Sequence, residues 1–275
     1  DPTLRRSQKS SMAHCDLRIK ETLSGKIRTE KGVHAGFQRP PKKKKADSVL
    51  RHFNTVAAKY DFMNTLLSLG IHRSWKQTAV RMLRLREGDC VIDVCGGTGD
   101  LSILAAGEVQ SSGQVILYDI NRRMMGAGRA KVMGSPYSGS VFYIQGDAEA
   151  MPFPDEMCDA TMVGFGIRNV THMEKGFQEM HRILKPGGKL MCLEFSKPTS
   201  PPFRWLYDLY SFHVMPFLGS LIVGSRQAYT YLAESIRMFP SPDELTRILK
   251  RIGFSKVTHR SLTNDIAVVH VGIKL

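Results

Sequence analysis

The residue types and spacing best suited to chemistry lie at positions 96–100, which read Gly-Gly-Thr-Gly-Asp. This turn follows the apolar run 90–95, which is typical of a strand buried on both faces. Glycines there let the backbone turn sharply and approach a ligand without a Cβ in the way. Asp119 ends the next predicted strand, 20 residues after Gly99, where a carboxylate can bind both hydroxyls of a ribose.

Two features separate this turn from the version that binds nicotinamide dinucleotides. The dinucleotide pattern needs a third small residue, and Ser102 stands at that position. Asp93 and Asp100 flank the turn, and their charges are unfavourable beside a pyrophosphate. S-adenosylmethionine has no phosphate and carries an ammonium and a sulfonium, which carboxylates suit. The segment therefore predicts S-adenosylmethionine as the cofactor. A structural strand–turn–helix with incidental glycines is the alternative.

Further cofactor contacts are predicted around this turn. Thr98 is placed for the amino-acid end of the cofactor, although it also suits a simple turn. Asp147 and Ala148 follow the third predicted strand and fit the rim of an adenine pocket. The alternative for Asp147 is a helix N-cap. The predicted glycine contacts are Gly96, Gly97 and Gly99.

The pattern around these residues predicts a doubly wound, Rossmann-like α/β fold of the class I methyltransferase kind. Its sheet is mostly parallel, with an antiparallel C-terminal strand. A first helix is predicted from Asp47 or Ser48, a second over 65–85, and the segment 198–224 is too irregular to assign. The predicted strands are 90–95, 114–120, 141–145, 160–165 and 189–195, with a closing hairpin near 256–261 and 266–273.

The charge is concentrated at the N-terminus. The 275 residues carry a formal charge of +14, and residues 1–47 hold 13 Lys and Arg against 5 Asp and Glu. We expect a disordered basic arm over 1–47, and a methyltransferase domain over 48–275. The arm suits a mitochondrial presequence remnant, a contact with an anionic membrane, or a solvated tail. The longest strongly apolar run, 214–223, is about half the ~20 residues of a membrane-spanning helix, so no such helix is predicted.

Several segments resemble the ubiquinone/menaquinone biosynthesis C-methyltransferase family over residues 49–275. The specific ones are Tyr-Asp-Phe-Met-Asn at 60–64, Gly-Ile-Arg-Asn at 166–169 and Ser-Phe-His at 211–213. The resemblance implies cofactor contacts at Thr98, Asp119, Asp147 and Ala148. It also implies that Tyr60 and Met63 close over the cofactor. The family has a serine where this chain has Gly164, which removes one side-chain hydrogen bond.

The resemblance implies C-methylation of a polyprenylated methoxy-benzoquinol in ubiquinone biosynthesis. The ring carbon becomes nucleophilic when a phenol-like hydroxyl of pKa about 10 ionises, which costs roughly 3.4 kcal/mol near pH 7.5. Arg168 is expected to stabilise the phenolate, with a structural ion pair as its alternative role. Asn169 is expected to orient the ring. Tyr210 and His213 are candidates for proton transfer or ring binding, or else core residues.

The expected partners follow from an extremely apolar substrate. They are the polyprenyl benzoquinol, a peripheral contact with the matrix face of the mitochondrial inner membrane, a quinone-biosynthesis complex and a homodimer, with no nucleic acid. The apolar residues between Phe203 and Leu221 suit a tunnel for the polyprenyl tail, a dimer interface or core. Two other function classes stay open: an RNA methyltransferase, which requires a basic aromatic face on the folded domain, and a non-catalytic cofactor-binding subunit.

Overall fold

A computed structural model describes residues 42–275, with side chains from Val49 onward. Seven strands form one sheet in the order β3-β2-β1-β4-β5-β7-β6, in which β1 to β5 are parallel and β7 runs antiparallel to both of its neighbours, β5 and β6. The predicted fold class is confirmed. The strands are β1 Cys90–Val94, β2 Gln114–Asp119, β3 Val141–Gln145, β4 Cys158–Gly164, β5 Leu184–Phe195, β6 Phe254–Leu262 and β7 Ala267–Lys274.

The described helices surround this sheet. They are α1 Lys42–Val56, α2 Tyr60–Leu67, α3 His72–Leu83, α4 Asp100–Val109, α5 Arg122–Met133, α6 Met173–Ile183, α7 Pro201–Leu209, α8 Met215–Val223, α9 Arg226–Met238 and α10 Pro242–Ile252. Short 3₁₀ turns lie at Ala57–Lys59, Ser138–Ser140 and Ile167–Asn169. They connect helices or lead into and out of strands.

The first helix begins earlier than predicted. It begins at Lys42, so neither Asp47 nor Ser48 is its N-cap. The rest of the predicted arm, residues 1–41, lies outside the described residues. The single helix predicted over 65–85 is wrong, because a turn over 68–71 separates α2 from α3. Leu69 and Gly70 have φ values of +49° and +79° there, which a helix does not allow.

The fifth strand begins earlier than predicted. The Lys-Pro-Gly-Gly segment at 185–188 is a typical helix stop, but α6 already ends at Ile183 and β5 begins at Leu184. Leu184 pairs with Cys158 and Lys189 pairs with Ala160, so the stop residues form an irregularity inside the strand. The proline and glycines therefore mark a bulge rather than a separate loop.

The unassigned segment 198–224 contains a continuous helix, Pro201–Val223, which we call the long helix. It joins α7 and α8 through a π-helical turn at Tyr210–Val214. By length and composition alone it is apolar enough to cross a membrane, and 22% of its most apolar window is buried. This corrects the prediction that no segment qualifies. The prolines made this segment difficult to assign as a helix from the sequence. In the structure, Pro201 lies in the first turn of the helix and Pro216 follows the π turn, where prolines are tolerated.

Candidate active site

A small cavity of about 130 Å³ lies at the carboxyl ends of β1, β2 and β4. Asp119 in its wall is held by two backbone donors: Gly97 N–H donates to Oδ2 at 2.8 Å and Asn121 N–H donates to Oδ1 at 2.7 Å. Burial raises the pKa of Asp119, and the two N–H donors partly offset this. The carboxylate predicted from spacing is thus fixed beside the glycine turn.

The glycine turn is shaped by close packing against α5 and β2. Gly99 has φ +82°, and a Cβ on it would lie 2.8 Å from Val132 Cγ2 and 2.9 Å from Leu117 Cδ1. A side chain at this position would be strained as well as obstructed. The glycine therefore lets the turn lie against the sheet.

The structure brings about half of the predicted cofactor residues to the small cavity. Those in its wall are Tyr60, Gly97, Asp119, Asp147, Ala148 and Gly164. Gly96 and Gly99 lie in the turn behind this wall, and Met63 is buried in a cluster with Val56 and Tyr229. Thr98 also lies outside the wall, and its hydroxyl donates to Asp61 Oδ1 at 2.7 Å. Neither Asp93 nor Asp100 lines the cavity.

The residues present fit S-adenosylmethionine. Asp119 supplies a buried carboxylate for the ribose, beside the apolar side chains of Ile120 and Met124. The Nδ2 of Asn121 is a buried donor without a hydrogen-bond partner in the described structure, so it is available to a polar ligand group. The Oδ1 of Asp147 accepts a hydrogen bond from Glu149 N–H at 2.9 Å. Its second carboxylate oxygen, Oδ2, can therefore accept a hydrogen bond from the cofactor.

Packing of Leu101 accounts for the glycine at position 164, where the family has a serine. A Cβ at this position would lie 2.5 Å from Leu101 Cδ1. A serine would therefore require Leu101 to adopt another rotamer.

A larger cavity of about 1030 Å³ adjoins the small one. Four residues line both: Phe53, Tyr60, Phe165 and Asn169. The other walls are mainly aromatic and aliphatic side chains of α1, α2, the long helix and α9. An extended apolar molecule therefore fits this cavity, with one end beside the cofactor residues.

Arg168 lines the larger cavity next to Asn169, which lines both cavities. Its Nη1 donates to Glu194 Oε1 at 2.5 Å and to the Phe165 carbonyl at 2.6 Å. Its backbone N–H donates to Glu194 Oε2 at 3.3 Å, and its guanidinium lies over the Phe195 ring, 5.2 Å from the centroid. Burial raises the pKa of Glu194, and the Arg168 charge opposes this shift. The Nε of Arg168 is buried without a partner among the described atoms.

The predicted substrate residues differ in their placement. Asn169 lines both cavities, and its Oδ1 accepts a hydrogen bond from Tyr231 Oη at 3.2 Å. Tyr210 lines the larger cavity, but its hydroxyl donates to the Leu67 carbonyl at 2.7 Å. His213 is exposed and lines neither cavity. The structure therefore does not bring His213 to the site, because the π turn directs it outward.

Sequence reasoning assigned no role to several residues that the structure places here. Glu194 and Tyr231 are two of them, since Glu194 binds Arg168 and Tyr231 binds Asn169. His72 lines the larger cavity with its Nδ1 buried and unpartnered in the described structure, and burial lowers its pKa to about 4. Its ring is therefore neutral at neutral pH.

An ionic network ties the N-terminal helices to the glycine turn. Lys131 Nζ donates to Asp61 Oδ2 at 2.6 Å and also contacts Asp100. Lys76 Nζ donates to Asp100 Oδ2 at 2.6 Å, and the two lysines hold the pKa of Asp100 well below its usual range despite burial. This network fixes α2, and with it Tyr60, beside the cofactor cavity.

Comparison with known proteins decides the family. The sequence model of the ubiE/COQ5 methyltransferase family matches residues 41–274. The chain belongs to this family. A ubiquinone/menaquinone biosynthesis C-methyltransferase UbiE from Pseudomonas paraeruginosa is 45% identical over 89% of this chain and 96% of its own. The UbiE of Escherichia fergusonii is 45% identical over 90% of this chain and 98% of its own.

Solved structures support the fold independently. A methyltransferase from Thermotoga maritima that depends on S-adenosylmethionine aligns with a TM-score of 0.59 at 20% identity, covering 82% of this chain and all of its own. A Haemonchus contortus phosphoethanolamine N-methyltransferase, solved with S-adenosylmethionine, aligns with a TM-score of 0.53 at 16% identity, covering 72% of this chain and 52% of its own. At these identities the likeness concerns the fold alone.

The ubiE/COQ5 chain is therefore an S-adenosylmethionine-dependent C-methyltransferase of quinone biosynthesis. The two relatives described are bacterial, so they give no support to the mitochondrial prediction. Nor do they distinguish ubiquinone from menaquinone precursors, because their names include both.

Proposed function

We propose that this enzyme methylates a ring carbon of a polyprenylated quinol, with a methoxy-benzoquinol as its substrate. The observation that carries the proposal is the larger cavity, which has a mainly apolar wall and meets the cofactor residues at Asn169, next to Arg168. The ring is proposed to lie at that boundary, with its polyprenyl tail toward the long helix.

The residues at the boundary supply what the acceptor ring needs. S-adenosylmethionine supplies an electrophilic methyl group when bound. The Arg168 guanidinium favours the ionised hydroxyl of the ring, and the Phe195 ring supports the guanidinium from one side. Asn169 provides an amide within reach of both cavities, and Tyr231 fixes its orientation. Exclusion of water by the aromatic walls strengthens these electrostatic contacts.

Turnover assays with two short-tailed quinols test the proposal. We expect the purified chain to transfer a labelled methyl group to a methoxy-benzoquinol, and faster than to a naphthoquinol. Equal or better turnover of the naphthoquinol would assign the enzyme to the menaquinone branch. Transfer to neither quinol, or transfer to RNA instead, would contradict the proposal. The biosynthetic complex, the homodimer and the mitochondrial location stay predictions.

A further inference from the structure

The long helix exposes an unusual apolar face to solvent. Its exposed large apolar residues are Trp205, Leu206, Leu209, Phe212, Val214, Phe217 and Leu221. Trp205, Phe217 and Leu221 are 69%, 63% and 72% exposed. Contiguous apolar surface of this kind on a folded domain indicates a docking surface.

The π turn keeps this face continuous. From Leu209 the apolar positions advance by three residues to Phe212, then by five to Phe217 and four to Leu221. The five-residue step falls across the π turn, whose hydrogen bonds join residues five apart. An uninterrupted α-helix would rotate Phe217 and Leu221 away from the stripe.

A second apolar element lies beside the cavity mouth. Leu69 is 93% exposed although it also lines the larger cavity. Ile71 is likewise both exposed and part of the cavity wall. The turn that carries Leu69 is built by backbone hydrogen bonds, including Gly70 N–H to the Thr65 carbonyl at 2.8 Å. A leucine held in water at φ +49° is unfavourable unless something apolar covers it.

The turn and the long helix form one surface at the mouth. Tyr210 Oη in the helix donates to the Leu67 carbonyl beside the turn, at 2.7 Å. Leu206 of the helix is exposed and lines the cavity, as Leu69 does. The apolar surface therefore lies at the opening of the larger cavity. We call it the mouth face: the outer residues of the long helix together with Leu69 and Ile71.

The charges on the mouth face have one sign. Among the exposed residues of the long helix and of the turn with the start of α3, none is acidic, and Arg73 and Arg204 are basic. The one acidic residue of the long helix, Asp208, is only half-buried but is paired with Arg237. Arginines beside a tryptophan and aliphatic side chains suit the headgroup region of an anionic bilayer.

We propose that the mouth face docks on an anionic phospholipid bilayer. The inference rests on the proposed function, because a polyprenylated quinol resides in the bilayer. Docking in this orientation lets the tail pass from the hydrocarbon into the cavity without crossing water. A protein partner or a second copy seated over Leu69 and Leu206 would close the entrance, which favours the bilayer as the occupant.

Vesicle binding by the full chain tests this proposal. We expect sedimentation with vesicles of phosphatidylethanolamine and phosphatidylglycerol, and weaker binding to phosphatidylcholine alone. The combined change Trp205→Ser, Phe217→Ser and Leu221→Ser alters residues outside the cavity wall and should weaken binding at least tenfold. Met133→Ser is the matched control, because Met133 is 60% exposed on α5. Vesicle binding by the triple variant equal to that of the unchanged chain would overturn the proposal.

Turnover separates this proposal from the proposed function. The triple variant should methylate a short-tailed quinol in solution at the normal rate, and a long-tailed quinol in vesicles at least tenfold more slowly. Failure of the unchanged chain on the short-tailed quinol would contradict the proposed function alone. If the triple variant turned a dimer into a monomer without losing vesicle binding, the mouth face would be a dimer interface.

Fluorescence gives a test without variants. The chain has two tryptophans, of which Trp75 is 4% exposed and Trp205 is 69% exposed. Vesicles with bromine on the upper acyl chains should quench Trp205, because the proposal inserts it at the headgroup boundary. Absence of quenching while the chain is bound to vesicles would show that another surface makes the contact.

Discussion

Glu194 holds Arg168 by two separate contacts, one to the guanidinium and one to the backbone N–H. The side chains are 6% and 3% exposed for Arg168 and Glu194. A buried ion pair of this kind gives little net stability, since an apolar pair of equal volume is often as stable. Because Arg168 lines the larger cavity beside Asn169 and Glu194 lines neither cavity, we propose that Arg168 contacts the substrate and that Glu194 positions it.

Arg168→Lys should reduce kcat for quinol methylation by roughly 100-fold or more. Lysine keeps the charge but loses the planar fork that contacts Glu194 and the Phe165 carbonyl and stacks on Phe195. Steady-state kinetics measures the effect, and calorimetry with S-adenosylmethionine should show unchanged affinity. Turnover within twofold of the unchanged enzyme would remove Arg168 from the mechanism.

Glu194→Gln should lower kcat with little change in the KM for S-adenosylmethionine. The substitution keeps the volume but leaves the guanidinium unpaired, which should cost about 3–5 kcal/mol in the free energy of unfolding. Denaturant unfolding and kinetics measure both effects. Glu174→Gln is the matched control, because Glu174 pairs with Arg251 at the surface and its loss should cost about 1 kcal/mol or less.

A merely structural role for Glu194 predicts a different pattern. Glu194→Gln would then destabilise the fold while kcat per folded molecule stayed normal. Glu194→Asp provides a further check, because it restores the charge one methylene shorter and should recover part of the lost kcat. No recovery in this variant would contradict charge as the property that positions Arg168.

Asp119→Asn should weaken S-adenosylmethionine binding by about 10- to 100-fold, as expected for hydrogen bonds to a charged group worth about 1.5–3 kcal/mol. An amide has only one oxygen for the two N–H donors of Gly97 and Asn121, so the turn also loses a contact. Calorimetry measures the affinity. Unchanged binding would show that the ribose does not contact Asp119.

Asp61→Asn should loosen the helices that cover the cofactor cavity. The change removes the charge that pairs with Lys131, while the Thr98 hydroxyl keeps an acceptor. We expect faster hydrogen exchange in Lys42–Val56 and Tyr60–Leu67 and a modest loss of cofactor affinity, of a few fold. Asp155→Asn, which breaks an exposed pair with Arg182, is the control. Equal exchange in both variants would contradict the role of the network.

The strands and the cofactor carboxylate were predictable because they depend on local signals. Short apolar runs separated by glycine turns mark parallel strands, and Asp119 follows from its distance after Gly99. Placement of side chains was less predictable. Thr98 turns to Asp61 because α2 packs over the glycine turn, a contact between residues 37 apart.

The long helix and His213 also show that side-chain placement is difficult to predict from the sequence. Pro216 reads as a helix breaker in isolation, but the preceding π turn accommodates it. That turn also sets which residues face the cavity, so Tyr210 lines it and His213 does not. Such rotations depend on tertiary packing, which spacing within one segment does not reveal.

The position of the transferred methyl group tests the central claim most directly. Purified enzyme, S-adenosylmethionine labelled with ¹³C in the methyl group and a short-tailed methoxy-benzoquinol should yield one product for nuclear magnetic resonance. We predict a ¹³C methyl on a ring carbon, and no such signal with Arg168→Ala. Label on a hydroxyl oxygen, or an unchanged quinol, would contradict the account.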